Sequence, residues 1–254
     1  MNMMRFTTMK TKLRKYPSIF LILLLAISSC FLTGCVNQHP KDSKKSSQGE
    51  SVETMLEITD PKEKQAVLNA KAKVKALSGN PRIVATSPAV ADICDKLDLD
   101  LVGVPKSSVS KIPSRYKKVK KVGLAMSPDM EIVSSLNPDW ILAPSSLETD
   151  LKPKFEELKN TEYAFLNLRS VQGMYRSVQE LGEIFGKQQE AEKMTKEFTT
   201  FYKSYTKRNK NKKHPKVLVL MGLPGSYVIA TENSYVGSLV KLAGGENVYQ
   251  NTDQ

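Results

Sequence analysis

Chemistry at a protein site needs a nucleophile with its base, a set of metal donors, or a cradle of hydrogen-bond donors, and this chain is short of the first two. It carries two histidines, His39 in a polar leader and His214 just before Pro215. His214 opens an apolar run, so it sits at the start of a strand, the end opposite to where ligands gather in parallel sheets. Ser-His-Asp catalysis therefore lacks a base, and a zinc or manganese site of several histidines and carboxylates is not expected. Gly225-Ser226 has no G-x-S-x-G elbow around it, and Gly222 to Ser226 lacks the lysine of a phosphate-binding loop. What remains is a set of small, hydroxyl-rich segments: Thr86-Ser87-Pro88-Ala89, Lys106-Ser107-Ser108, Pro144-Ser145-Ser146, Asn167-Leu168-Arg169 and Gly222 to Ser226. Free backbone N–H groups at the helix starts that follow such loops suit an anionic group such as a carboxylate. Any one of these loops is ordinary strand-end material; together they suggest a binding rim. Met126, in Val122-Gly123-Leu124-Ala125-Met126-Ser127-Pro128, lies beside the same rim just before a helix. A thioether can ligate haem iron, although by spacing alone a gap-filling core methionine is the better reading.

The elements that would position these residues alternate. Ile83-Val84-Ala85, Leu101-Val102-Gly103-Val104, Trp140-Ile141-Leu142-Ala143 and Tyr163-Ala164-Phe165-Leu166 read as short apolar strands. Helical stretches separate them: Ala89 to Leu97, Pro128 to Leu136 with Ser127 as its cap, and Leu151 to Leu158. That rhythm predicts an α/β lobe over 81–169 with a parallel sheet covered on both faces. Val171 to Lys207 then runs without proline, with apolar residues at helical spacing. It predicts one long connecting helix over 170–209, the alternative being two helices with a bend near Gly186-Lys187. The βα pattern restarts at 210–254, with strands at Lys216 to Met221 and Tyr227 to Ala230 and a helix from Ser234 to Ala243. A lobe of two strands and one helix covers its apolar faces poorly. The 254-residue chain is thus expected to carry an incomplete second lobe and to bind its ligand weakly or not at all.

Ahead of the first lobe stands a leader. Residues 1–15 carry Arg5, Lys10, Lys12, Arg14 and Lys15 with no acid, an apolar run follows, and Leu32-Thr33-Gly34-Cys35 ends it. A basic start, a short apolar core and small residues before a cut site predict a secretory signal over 1–34; the run is too short to span a bilayer comfortably. Leu-Thr-Gly-Cys resembles the bacterial lipobox, in which the cysteine receives a diacylglyceryl group, so Cys35 is the predicted lipidation site. The chain is then expected at the extracytoplasmic face of the cell membrane, held by its lipid. Asn37 to Val52 reads as a polar stalk, part of a segment over 35–80. A helix over 60–77 is predicted within it from Asp60 as cap, Pro61 in the first turn, and a thin stripe of Val67, Leu68, Val74 and Leu77. Loss of the signal lowers the net charge from +12 to about +7, a solvated basic surface that also suits anionic lipid. No aromatic–basic pattern of a nucleic-acid reader accompanies it. Of three cysteines, Cys30 leaves with the signal and Cys35 takes lipid, which leaves Cys94 as a buried apolar residue and no disulfide framework.

Several stretches resemble the substrate-binding lipoproteins of ABC importers for iron–siderophores, haem and cobalamin, and among them the haem receptors. These are Arg82-Ile83-Val84, Asp95 to Leu99, Pro113 to Lys117 and, most specifically, Lys213-His214-Pro215-Lys216-Val217-Leu218. That last run continues through Met221 to Tyr227, Ala230-Thr231, Ser234-Tyr235 and Leu242 to Val248. The resemblance implies two lobes with central parallel sheets joined by a long helix, and a carrier of haem b rather than an enzyme. It changes the weighing of Met126, which matches an axial ligand of haem iron in the family; the family's second ligand, a histidine in the second lobe, matches no residue here. It further implies propionate contacts from Ser87, Ala89, Val90 and Ser107, and permease docking through Glu131. The implied partners are haem, an ABC permease and the membrane, with room for upstream cell-wall haem-relay proteins and none for nucleic acid. A ferric-siderophore carrier of the same fold is the alternative, and a lipid-anchored esterase fails for want of a triad.

Overall fold

The protein is described by a computed structural model over residues 55–249. The signal segment, Cys35, His39 and the stalk lie outside the described residues. From Ile83 the chain builds five parallel strands: β1 (Ile83–Ala85), β2 (Leu101–Val104), β3 (Lys120–Lys121), β6 (Trp140–Pro144) and β7 (Glu162–Leu166). They lie in the order β3-β2-β1-β6-β7, with Ile83 opposite both Leu101 and Trp140, and Leu142 opposite Ala164. Every residue of β1 and β6 is buried, as a sheet covered on both faces requires.

Alternation along these strands sorts the core into two layers. Ile83, Ala85, Trp140 and Leu142 face α1 (Pro61–Lys75), α2 (Pro88–Lys96) and α5 (Val171–Phe185). Val84, Ile141 and Ala143 face α3 (Met130–Ser135) and α4 (Glu148–Glu156), with Phe155 and Phe165 stacked at a centroid distance of 5.8 Å. The predicted helix over 60–77 is present as α1, with Asp60 accepting from Lys62 N–H at 2.8 Å. It buries Val67 and Ala70, while Leu68 of the predicted stripe stays 53% exposed. Residues 61–75, read as part of the stalk segment, are therefore a folded part of the first lobe.

Two predictions need correction. The long connector is two helices, α5 and α6 (Gln188–Asn209), as the bent alternative had it. Gly186 takes a left-handed φ of 71° and its N–H caps Gly182 O, an αL stop that glycine adopts without strain. A Cβ on Gly182 would lie 2.6 Å from Ala191 Cβ, so that glycine lets α6 fold back onto α5. The predicted strand Lys216–Met221 is also divided. β8 (Lys216–Val217) pairs in parallel with β11 (Glu246–Asn247), whereas β9 (Leu220–Leu223) pairs antiparallel with β10 (Ser226–Ile229), so the chain changes partners at Leu218-Val219. Helix α7 (Tyr235–Leu242) lies between β10 and β11 in the chain. Its Ser238 Oγ accepts from Val171 N–H at 3.1 Å, which ties this part to the start of α5. Among the described residues no helix is long and apolar enough to cross a membrane.

A rim of strand ends and a methionine hairpin

Parallel strands deliver their carboxyl ends to one edge of the sheet. Ser87 follows β1, Lys106-Ser107 follow β2, Ser145 follows β6 and Asn167 to Arg169 follow β7. The Gly222 to Ser226 segment is not part of this edge; it is the turn of the antiparallel β9–β10 hairpin, with Gly225 at φ 76°.

Met126 is placed by a feature that periodicity did not show. Gly123-Leu124 (β4) pairs antiparallel with Ser127-Pro128 (β5), so Ala125-Met126 form the tip of a tight hairpin rather than an open loop. Gly123 has φ 94°, and a Cβ there would stand 2.9 Å from Asp129 N and 3.1 Å from Ser127 O. Glycine is therefore required at this position. The base of the hairpin is fastened by Asp129 N–H to Val122 O at 2.8 Å. Val122 N–H reaches Val104 O at 2.9 Å and Lys106 N–H reaches Gly123 O at 2.6 Å, which sets the hairpin against the end of β2. Asp129, not the predicted Ser127, caps α3 by accepting from Glu131 and Ile132 N–H. Met126 is 73% exposed and Leu124 58% exposed. A core role for this methionine is thereby excluded. The signal available in the sequence was a glycine and an N-cap acid bracketing the tip.

The remaining predicted residues fall on the same edge with different degrees of commitment. Ser87 Oγ caps α2 by accepting from Val90 N–H at 3.3 Å, and Val90 itself is buried. That amide is occupied within the protein. Pro88 has no N–H, so Ala89, which is exposed, offers the first amide of α2 without an intrahelical acceptor. Ser107 Oγ accepts from Ser110 N–H at 2.9 Å and keeps its own proton to donate. Since β1 and β2 are neighbours, Ala89, Ser107 and the Met126 hairpin lie on adjoining segments of one edge. Glu131 is exposed in the first turn of α3, five residues beyond Met126. His214 Nδ1 lies 2.7 Å from Gly244 O, a structural contact away from this edge.

A cavity of about 770 Å³ lies elsewhere, between α2, the start of α5 and α6, with Met174, Tyr175, Met194 and Tyr235 in its wall. It shares Ala89 and Leu168 with the rim but not Met126. Along its wall burial pushes the Asp92 carboxyl up, and the neighbouring Asp95 adds to the shift. The opposite end of the lobe is electrostatic in character. Arg115 meets Asp98 at 2.7 Å and Asp100 at 2.8 Å, Lys187 meets Asp98 at 3.0 Å, and Tyr116 O–H donates to Leu99 O. Lys187 and Arg115 hold the Asp98 carboxyl below its ordinary range. Cys94 is fully buried there and its thiol is pushed up to about 12, as burial disfavours the thiolate.

Comparison with known proteins places this geometry. The sequence model of the periplasmic binding protein family matches residues 83–254. The high-affinity heme uptake system protein IsdE of Staphylococcus aureus is 42% identical over 178 residues, covering 70% of this chain. The chain spans 60% of the length of that curated relative. Among solved structures, an ABC transporter substrate-binding protein from Listeria monocytogenes shares 45% identity with a TM-score of 0.65, over 69% of this chain and 67% of the other. Staphylococcus aureus IsdE complexed with heme shares 41% identity with a TM-score of 0.64, over 69% and 68% of the two chains.

Proposed function

This chain belongs to the periplasmic binding protein family, and on that footing we propose that it carries haem b to the permease of an ABC importer and performs no covalent chemistry. The observation that carries the reading is Met126, a soft thioether held out at the tip of a fastened hairpin, 73% exposed, beside a rim of backbone donors. Its sulfur would supply one axial ligand to the iron. The Ala89 amide and the Ser87 and Ser107 hydroxyls would receive the propionates, while Val90, whose amide is spent on Ser87, serves through packing. Glu131 lies exposed near the same end of the lobe, where a basic permease surface could dock. Lipidation at Cys35 would hold the carrier beside that permease at high effective concentration. Cell-wall relay proteins would then stand upstream.

The chain has a single tryptophan, Trp140, buried in the sheet and edge-on to Phe185 at 5.6 Å. Its emission reports ligand binding to the lobe. In a version with a complete second lobe, purified from its own cells and stripped of ligand, haemin should quench this emission saturably at one equivalent, and a ferric hydroxamate siderophore should neither quench nor compete. Saturable binding of the siderophore without binding of haemin would replace the haem reading with the siderophore one.

A further inference from the structure

From Leu101 to Pro128 the chain has no acidic residue, yet it carries six lysines and Arg115. The arginine is spent on Asp98 and Asp100, and Asp98 is shared with Lys187. Asp129, the next acid along the chain, is turned to the amides of α3. Lys106, Lys111, Lys117, Lys118, Lys120 and Lys121 form no ion pair among the described residues. All but Lys121 are exposed. They lie on the crossover from β2 and on β3, which is the outermost strand, so they charge one side of the lobe. Lysine on an edge strand blunts pairing with another chain, and that accounts for Lys120 and Lys121 of β3. It does not account for Lys106, Lys111, Lys117 and Lys118, which precede the strand.

The same crossover holds out an apolar side chain. Ser107 Oγ accepts from Ser110 N–H at 2.9 Å, which closes a turn, and Val109 within that turn is 95% exposed. At that exposure Val109 packs against nothing, and Lys106 and Lys111 flank it in the chain. A soluble polyanion would pair with the lysines and leave the valine in water. The interface of an anionic bilayer takes both, the apolar side chain at the acyl boundary and the ammonium groups among headgroup phosphates.

We propose that this side of the lobe is a peripheral contact for anionic phospholipid, with Val109 entering the headgroup layer and Lys106, Lys111, Lys117 and Lys118 meeting lipid phosphates. The contact is additional to the lipid at Cys35 and rests on the membrane location proposed above. An anchor on a tether leaves the lobe free to turn, whereas a charged side gives it one face toward the bilayer. Because β3 borders the sheet laterally, a lobe resting on that side turns its strand-end edge along the membrane plane. Each lysine near an anionic surface is worth about fivefold in partition, and added salt screens it.

The test uses the lipidated full chain with Val109→Cys carrying an environment-sensitive nitrobenzoxadiazole dye; Cys94 is buried and stays unlabelled. On vesicles of mixed phosphatidylcholine and phosphatidylglycerol the dye emission should shift to the blue and be quenched by spin-labelled lipid, and high salt should reverse both. On pure phosphatidylcholine, where the Cys35 lipid still binds, the dye should emit as in water. Changing Lys106, Lys111, Lys117 and Lys118 together to glutamine should shift the docked equilibrium by roughly several hundredfold and abolish the response. The same four changed to arginine should keep it. These side chains are exposed and outside the sheet, so an unchanged melting temperature confirms that the glutamine variant is folded. Equal emission on the two vesicle types, or a full response in the glutamine variant, would overturn the contact. So would a response to soluble polyglycerol phosphate with none to phosphatidylglycerol vesicles, which would give the lysines to a polymer. Cosedimentation with pure phosphatidylcholine reads the Cys35 anchor by itself, so failure of the anchor and failure of the contact are distinct.

Discussion

Replacing Gly123 by alanine should disable the site without touching a residue that contacts ligand. The backbone there has φ 94°, where an L side chain is strained by roughly 1–2 kcal/mol. The new Cβ would also lie 2.9 Å from Asp129 N and 3.1 Å from Ser127 O, both backbone atoms, so the hairpin itself must move. Asp129 N–H then loses its aligned contact with Val122 O, and the tip carrying Met126 shifts with it. Unfolding should show a fall of about 2–8 °C, since 1 kcal/mol corresponds to roughly 2–4 °C in a domain of this size. The same variant should lose haem ligation by Met126, read as a changed Soret band. Gly186→Ala is the matched control. Its φ of 71° imposes comparable strain, nothing lies within 4 Å of the added Cβ, and it stands at the α5–α6 bend. It should be destabilised similarly and bind haem normally. Should Gly123→Ala bind haem as well as Gly186→Ala does, the hairpin is not what positions Met126.

Two further outcomes follow from the far end of the lobe. Asp98 has a lowered folded value, so its contribution is present above about 4 and is lost as pH falls through that lowered value. Asp98→Asn should flatten the acid limb of a plot of melting temperature against pH, and the difference from wild type should shrink in 1 M salt because the pair is exposed. Cys94, buried and with its thiol at about 12, should resist iodoacetamide at pH 8 until urea unfolds the lobe; rapid labelling of the native protein would contradict its placement between α2 and the sheet.

The first lobe was largely legible because its strands are continuous apolar runs and its helices carry ordinary caps. Ile83 to Ala85 and Trp140 to Ala143 could hardly be anything but central strands, and Asp60-Pro61 marked the start of α1 within a residue. The features that escaped depend on pairing that periodicity does not report. A two-residue strand has no periodicity to read, so only Gly123 and Asp129 hint that Gly123-Leu124 pairs with Ser127-Pro128. The split between β8 and β9 arises from their different partners, β11 and β10, although Lys216 to Met221 is one apolar run. Commitment of the Val90 amide to Ser87 likewise appears only in three dimensions, and it removes that amide from the donors that the edge can offer a ligand. Met126 shows the converse. Its residue type allowed a core filler or an iron ligand, and exposure at a hairpin tip removes the first.

The most direct measurement is the Soret spectrum of the haem-loaded protein from its own cells, compared between wild type and Met126→Ala. Ligation by the Met126 sulfur predicts a shifted band and faster loss of haem to a scavenger in the variant. An identical band with an identical rate of haem loss would show that this methionine does not hold the iron.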